Sequence, residues 1–429
     1  MLINILLQKI QALFKPVYEK SFVLQNIDWL IGVNIFLVIF QSTYAQSDSI
    51  GYFAIFAIIL TLLKLFIKPE EKINLSIIDK FLVVYFLLVV ISVAGSSLFY
   101  LSLKGFFKTA TYIGFYASVI SYLKDNKNCI KYIFLTISLA AAFETIVAFM
   151  QNFGAVEEIS GWQDMSRLNP EEVMTRVYGS LKPYNPNLFG GYMLSIIPAF
   201  ITLPFINKRL TLPACVLGIT SAIAIFLTGC RGAYIGLFFE FTILIGLTYK
   251  FLKTELKKIF SVFLAFISTI SVSILLSVSS LRARIFSIFV MRNDSSNSFR
   301  FNVYNSCINM FKDNWLLGIG CGNQNFREIY GLYMRTGFDA LSAYNIYLET
   351  AVESGIFALL SFISFITLSI YKAIKFINTS KSTETVYVSA AVISIIGLLT
   401  HGIVDTVFFR PQIQFTFWIM IGIIRVIAK

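Results

Sequence analysis

Arg231 stands at the tip of Leu227-Thr-Gly-Cys-Arg-Gly-Ala233, a tight turn between two apolar runs. Arg300 lies in Ser298-Phe-Arg-Phe-Asn-Val-Tyr304, and Arg176 near the start of Thr175-Arg-Val-Tyr-Gly-Ser-Leu-Lys-Pro-Tyr-Asn-Pro-Asn187. Arginine suits phosphate or carboxylate because its planar fork donates two parallel hydrogen bonds. Asn185 followed by Pro186 reads as a helix start, a capping side chain with proline at the first helical position. A fourth segment, Ser342-Ala-Tyr-Asn-Ile-Tyr-Leu-Glu-Thr-Ala-Val-Glu-Ser-Gly355, spaces Asn345, Glu349 and Glu353 four residues apart, on one helical face. Glu144, Glu240, Glu349, Glu353, His401 and Asp405 fall in or near apolar runs, where ionisable groups are costly and often functional. His401 and Asp405 are spaced to share a helical face, which also fits a hydrogen-bonded structural pair. His401 is the sole histidine, so a mechanism needing a neutral-pH imidazole depends on it.

Membrane-spanning helices must position these residues. The chain has 429 residues, of which 57% are hydrophobic and only 14% charged, against about a quarter charged in a soluble domain. Its mean hydropathy is +0.76. Apolar runs near the length of a span recur from end to end. About twelve spans are expected, at 27–46, 50–67, 81–100, 105–123, 132–153, 187–206, 210–229, 233–252, 259–279, 344–371, 386–409 and 413–428. A spanning backbone satisfies its own hydrogen bonds, so the expected class is an all-α, polytopic helical bundle. Residues 27–429 read as one transmembrane domain, without internal repeats or a soluble unit. Residues 1–26 mix Leu7, Ile10, Leu13 and Phe14 with Lys9, Lys15 and Lys20, the pattern of an amphipathic helix lying on an anionic leaflet. No small-residue cleavage site marks a removable signal peptide.

The net charge of +12 raises the question of nucleic acid, and the placement of the basic residues answers it. With the N-terminus cytoplasmic, the inner segments hold 21 of the 35 basic residues, nearly all lysine. This positive-inside bias accounts for the charge without nucleic acid and places both termini in the cytoplasm. The outer basic residues are mostly arginine: Arg167, Arg176, Arg231, Arg282, Arg284, Arg292, Arg300, Arg327, Arg335 and Arg410. Outer loops are expected at about 154–186, with Trp162, and 280–343, with Trp315, the latter between spans nine and ten. Spans starting near Asn187, Gly232 and Tyr344 point their partly positive N-termini at the same side, where helix ends and guanidinium groups form an anion site.

Other motifs carry less. Gly318-Ile-Gly-Cys-Gly lacks the lysine and strand–helix context of a phosphate loop and reads as a turn. The five cysteines lack zinc spacing, and no metal site or cofactor is expected. Cys307 and Cys321 share the second outer loop, with Cys230 nearby, so an outer disulfide is open to them.

In this order the four segments resemble the O-antigen ligase and polymerase family of bacterial inner-membrane proteins, from roughly Arg176 to the C-terminus. Its marks are Asn-Pro-Asn opening a span, Leu-Thr-Gly-Cys-Arg-Gly-Ala, an arginine followed by Trp315-Leu-Leu-Gly-Ile-Gly-Cys-Gly-Asn323, and Asn345 with Glu353-Ser-Gly355. Tyr330-Gly-Leu-Tyr-Met-Arg-Thr-Gly-Phe-Asp-Ala-Leu-Ser-Ala-Tyr344 and His401-Gly-Ile-Val-Asp-Thr-Val-Phe-Phe-Arg-Pro-Gln412 are similar to a cyanobacterial branch labelled inorganic-carbon (bicarbonate) transporters.

The resemblance implies a metal-independent, inverting glycosyltransferase with a GT-C-like fold. It implies a glycan donor carried on undecaprenyl diphosphate, and a glycan, lipid or protein acceptor at the periplasmic face. Arg231 and Arg300 match the diphosphate-gripping arginines, and Arg176 joins them as a candidate. Tyr344, Asn345, Glu349 and Glu353 are the catalytic candidates, with Asn185, Asn187, His401, Asp405 and Arg410 accessory. The ligases carry histidine where this chain has Tyr344, a poor base at neutral pH. A carboxylate such as Glu349 or Glu353 would then assist, or the chemistry departs from transfer. The alternatives are an anion or bicarbonate transporter and a non-catalytic lipid-glycan-binding relative.

Overall fold

The computed structural model describes residues 2–43, 47–154, 176–289 and 295–428. Trp162, Arg167, Arg292 and Lys429 lie outside them, as does most of the 154–186 segment and, among side chains, that of Arg284.

The described residues are all-α. Helices α1 (Leu2–Lys20) and α2 (Phe22–Gln25) lead into α3 (Ile27–Gln41), α4 (Ser47–Ile67), α5 (Ile77–Ala94), α6 (Phe99–Asp125) and α7 (Ile130–Phe153). Next come α8 (Pro186–Ile196), α9 (Leu203–Ile206), α10 (Thr211–Leu227), α11 (Arg231–Phe251) and α12 (Thr254–Ser277). The 280–343 segment holds most of α13 (Ser279–Phe286), with α14 (Ser295–Asp313) and α15 (Asn323–Tyr330). The long α16 (Ile346–Thr379), α17 (Glu384–His401) and α18 (Pro411–Ile427) complete the chain.

Each expected span meets a helix. Nine segments among the described residues are long and apolar enough to cross a membrane. The apolar helices α3 and α18 are shorter. At 27 residues α6 is long, but Lys104 and Lys108 lower its apolarity. Several edges move for local reasons. The third expected span stops at Ala94, because Gly95 and the following turn end α5 before Phe99 starts α6. The sixth is α8, a 3-10 turn over Ile197–Thr202 and α9, its prolines at 198 and 204 interrupting the α-helical ladder.

The main core is built around α18. Nearly every residue from Gln412 to Ile427 is buried, as befits a helix apolar on all sides. Around it pack α6, α8, α16 and α17. In contrast α12 exposes Ile259, Val262, Phe263 and Phe266, a surface suited to lipid. A second, smaller core joins Val303, Cys307 and Met310 of α14, Phe326, Ile329 and Tyr330 of α15, and Val352 of α16.

One end of the bundle carries paired charge. Lys64 is fully buried, and its Nζ donates to Asp28 Oδ1 (2.5 Å), Ser121 O (2.9 Å) and Asp125 Oδ2 (3.1 Å). Lys68 donates to Asp28 Oδ2 at 2.9 Å, Lys124 pairs with Glu71, and Arg425 donates to Asp79 at 2.8 Å. Helix α1 docks beside them, Gln11 donating to Leu65 O (2.8 Å) and Glu71 O (2.9 Å) while Leu13, Phe14 and Val17 stay exposed.

Candidate anion site at the arginine end

At the opposite end, α8, α11 and α16 begin and α10 and α17 finish. Asn185 caps α8 as its sequence suggests, its Oδ1 accepting from the amides of Asn187 (2.8 Å) and Leu188 (3.4 Å), with Pro186 in the first turn. The turn between α10 and α11 needs Gly229, whose φ is +61°. A Cβ there would also lie 3.1 Å from Arg176 Nε. This close approach lets Arg176 reach across the turn. Its Nε donates to Thr228 O at 2.6 Å and its Nη2 to Asn187 Oδ1 at 2.7 Å.

Arg231 is the first residue of α11 and is buried. Its Nη1 donates to the backbone O and to Oγ of Ser287, each at 3.1 Å. Cys230, which precedes it, makes no side-chain capping bond, so the helix end presents its amides beside the guanidinium. Arg300 on α14 reaches Asp405 Oδ2 with Nη2 at 3.8 Å, and its guanidinium lies over the Tyr344 ring at 5.8 Å. Burial lowers the proton affinity of Arg176, and the charges of Arg231 and Arg300 push the same way. Arg231 and Arg300 therefore both stand within electrostatic reach of Arg176. Like charges gathered in a poorly hydrated place repel, and an anion relieves that repulsion.

Asp405 organises the floor of the site. Its Oδ1 accepts from the amides of Thr406 (2.7 Å) and Val407 (3.1 Å), and its Oδ2 from Asn187 Nδ2 (2.9 Å). The structure corrects the expectation that His401 and Asp405 share a helical face. Helix α17 ends at His401, so Asp405 lies beyond it on a turn. His401 instead places Nε2 3.4 Å from Cys230 Sγ. Its ring is wedged against Gly191 and Gly232, where any Cβ would meet it at 3.2 and 2.6 Å.

The fourth segment divides into different tasks. Asn345 is not on the face of Glu349 and Glu353, because it is the extended N-cap of α16. Its Oδ1 accepts from Tyr347 N and Leu348 N at 2.9 Å each, and its Nδ2 donates to Ile403 O at 2.9 Å. Glu349 is buried and accepts from Ala343 N (2.9 Å), so it shapes the turn that carries Tyr344. Tyr344 has φ +51°, a conformation costing about 1–3 kcal/mol in a non-glycine residue and found at functional sites. Tyr304 Oη donates to its carbonyl at 3.1 Å. Burial, with help from the charge of Asp405, pushes the Tyr344 phenol up to about 12, while Arg300 pulls the other way. The hydroxyl is therefore a neutral donor at physiological pH.

Glu353 belongs to a clasp. Helix α16 breaks at Gly355 (φ 81°, ψ 173°), freeing backbone groups that the 315–322 turn takes up. Ile319 N donates to Val352 O (3.0 Å), Gly320 N to Glu353 O (2.9 Å) and Ile356 N to Trp315 O (2.9 Å). Glu353 Oε1 accepts from Gly322 N at 2.9 Å. A Cβ at Gly318 would meet Glu353 backbone at 2.4 Å, which is why the glycine-rich turn, read from sequence as a turn and no phosphate loop, needs its glycines. The cysteines are free, and Cys307 and Cys321 sit in separate apolar clusters, so the disulfide open to them is absent.

Four other outer arginines, among the described residues, have partners or places away from the site. Arg282 donates to Leu276 O (3.0 Å), Arg327 faces Asp339 (3.7 Å), Arg335 donates to Asn302 (3.1 Å), and Arg410 is an exposed N-cap of α18. Thr228 and Ser287, which hold Arg176 and Arg231, carry no sequence signal, since two of their three acceptors are backbone carbonyls. Among the described residues, no group of three or more His, Cys, Asp or Glu is arranged to hold a metal ion.

A search of the curated proteins returns no match. Residues 216–363 match the family model described as O-antigen ligase. The matched stretch includes Arg231, Arg300, Glu349 and Glu353, and Arg176, His401 and Asp405 lie outside it. Through that segment the chain, all-α among its described residues and with nine segments long and apolar enough to cross a membrane, is similar to the O-antigen ligase family.

Proposed function

We propose that the protein transfers a glycan from undecaprenyl diphosphate to a glycan, lipid or protein acceptor at the periplasmic face of the bacterial inner membrane. The gathering of Arg176, Arg231 and Arg300 around the start of α11 carries this reading. In such a transfer an acceptor hydroxyl oxygen bonds to the anomeric carbon, the bond from that carbon to the diphosphate breaks, and the lipid diphosphate leaves. The leaving group gains negative charge as the bond breaks, and fixed guanidiniums beside a helix N-terminus stabilise that charge without rearranging. The acceptor's proton goes to a carboxylate, Glu349 being the nearest candidate to Tyr344 along the helix, while Tyr344 orients the acceptor as a hydrogen-bond donor.

This reading sets the arginine end outward and the lysine end, with both termini, in the cytoplasm, which the positive-inside bias supports. In it α1 rests on the anionic inner leaflet. Three converging guanidiniums suit a multiply charged diphosphate better than singly charged bicarbonate, so transport is the weaker reading. The test is a gel of surface polysaccharide from cells carrying Arg231→Ala or Arg300→Ala. Loss of the polymer ladder supports transfer, and unchanged ladders in both strains refute it.

A further inference from the structure

We infer that Asp405 is a built-in counter-anion of the donor site, holding Arg300 and giving it up to an incoming lipid diphosphate. The inference rests on the donor reading above and adds a positioning residue outside the matched family segment. Its basis is how unequally Asp405 is bonded. Three hydrogen bonds of 2.7 to 3.1 Å, from Thr406 N, Val407 N and Asn187 Nδ2, fix the carboxylate independently of Arg300. Arg300 Nη2 stands at 3.8 Å, an ion-pair distance beyond hydrogen-bond length. Asp405 therefore stays in place when Arg300 leaves. By contrast Arg176 is clamped at 2.6 and 2.7 Å between Thr228 O and Asn187 Oδ1, within hydrogen-bond length.

An incoming diphosphate thus competes with an anion already present, and the competition makes release of the spent lipid easier. Asp405 lowers donor affinity in exchange for turnover. A purely structural aspartate does neither.

Asp405→Asn separates these roles, because its remaining Oδ1 still accepts the Thr406 and Val407 amides. The substitution turns an amide toward the Asn187 amide, so Asp405→Asn is paired with Asn187→Asp/Asp405→Asn. The double variant restores complementary hydrogen bonding, keeps total charge, and moves the carboxylate onto Arg176 and away from Arg300. The full chain in detergent micelles is titrated with a short-chain polyprenyl diphosphate, following thermal unfolding and direct binding. Bicarbonate is the control anion. Removing one nearby negative charge is expected to tighten diphosphate binding by about tenfold, and to enlarge the ligand-induced rise in Tm even as the unliganded Tm falls. The double variant is expected to bind more tightly than the wild type too.

Binding by Asp405→Asn equal to or weaker than the wild type overturns the inference. If that variant does not fold, the double variant decides alone. A double variant returned to wild-type affinity also overturns it, because only total charge would then matter. A wild type that binds no diphosphate overturns the donor reading itself, a result distinct from either of these.

Discussion

Cations at the two ends of the bundle are treated in opposite ways. At the lysine end a cluster of cations has carboxylate partners: Lys64 and Lys68 share Asp28 and Asp125, Lys124 takes Glu71, and Arg425 takes Asp79. At the arginine end Arg176 is half-buried, its hydrogen bonds go to neutral oxygens, and it feels the charges of two more arginines. Burial of charge is costly at both ends. The first end meets that cost inside the fold. At the second, in the reading proposed above, a ligand anion adds to the Asp405 carboxylate, which is how an anion site would differ from a structural ion-pair network built from the same sign of charge.

Breaking each end separately tests this contrast. The largest effect is expected at the arginines. Arg231→Ala or Arg300→Ala should slow transfer by about 100- to 1000-fold, the range for losing one preorganised stabiliser of a developing anion. Folding should survive, as judged by an unchanged elution profile and thermal transition. The transfer rate is measured with purified protein, a lipid-diphosphate glycan and acceptor.

At the other end the effects should invert. Lys64→Ala should destabilise by roughly 3 kcal/mol, near the low end for breaking a buried pair, because Lys68 still faces both carboxylates. Thermal unfolding measures it. Donor affinity in the folded fraction should not change. A Lys64 variant that folds normally but loses donor binding would erase the distinction between the ends.

A third variant addresses what couples the small core to the bundle. Gly355→Ala places a Cβ 2.2 Å from Leu316 O at a φ of +81°. A loss of about 1–3 kcal/mol is expected from backbone strain alone, with faster proteolysis at the 315–322 turn. The clasp also shows the limit of the sequence. Its glycines announced a turn, but the partner is the broken backbone of α16, thirty or more residues on, and backbone acceptors leave no mark on side-chain types. The arginines and the Asn185–Pro186 cap were legible because side-chain chemistry and local geometry define them. Asp405 was misplaced for a related reason. Four-residue spacing implies a shared face only while the helix continues, and α17 stops at His401. Cys307 and Cys321 share a loop in sequence yet pack into different clusters once α14 and the clasp are folded.

Asn345 gives a smaller effect of another kind. As the N-cap of α16 it satisfies two amides, and Asn345→Ala should cost about 1 kcal/mol. Asn345→Asp keeps the cap and should recover part of the stability, since a carboxylate also suits a helix N-terminus while the bond from Nδ2 to Ile403 O is lost. A catalytic asparagine would instead lose rate in both variants at unchanged stability.

The smallest effect is expected from Tyr344→Phe. Burial, chiefly, raises its phenol to about 12, so the folded protein holds this proton throughout the neutral range. Removing the hydroxyl should leave the pH dependence of transfer unchanged from about pH 6 to 9, with a modest rate loss from one missing hydrogen bond to the acceptor. The linkage has a definite sign. A phenol raised above its unfolded value of 10.0 keeps its proton in the folded state and loses it in the unfolded one. Stability from this group is therefore complete below pH 10 and declines as pH climbs toward 12. Tyr304, also raised to about 12 mainly by burial, adds to the same decline. Tyr344→Phe should thus blunt alkaline unfolding while leaving neutral-pH catalysis nearly untouched. A collapse of the rate at pH 7 would mean that the phenol is the base after all, and that Arg300, stacked over its ring, lowers its proton affinity far more in the donor complex than in the empty site.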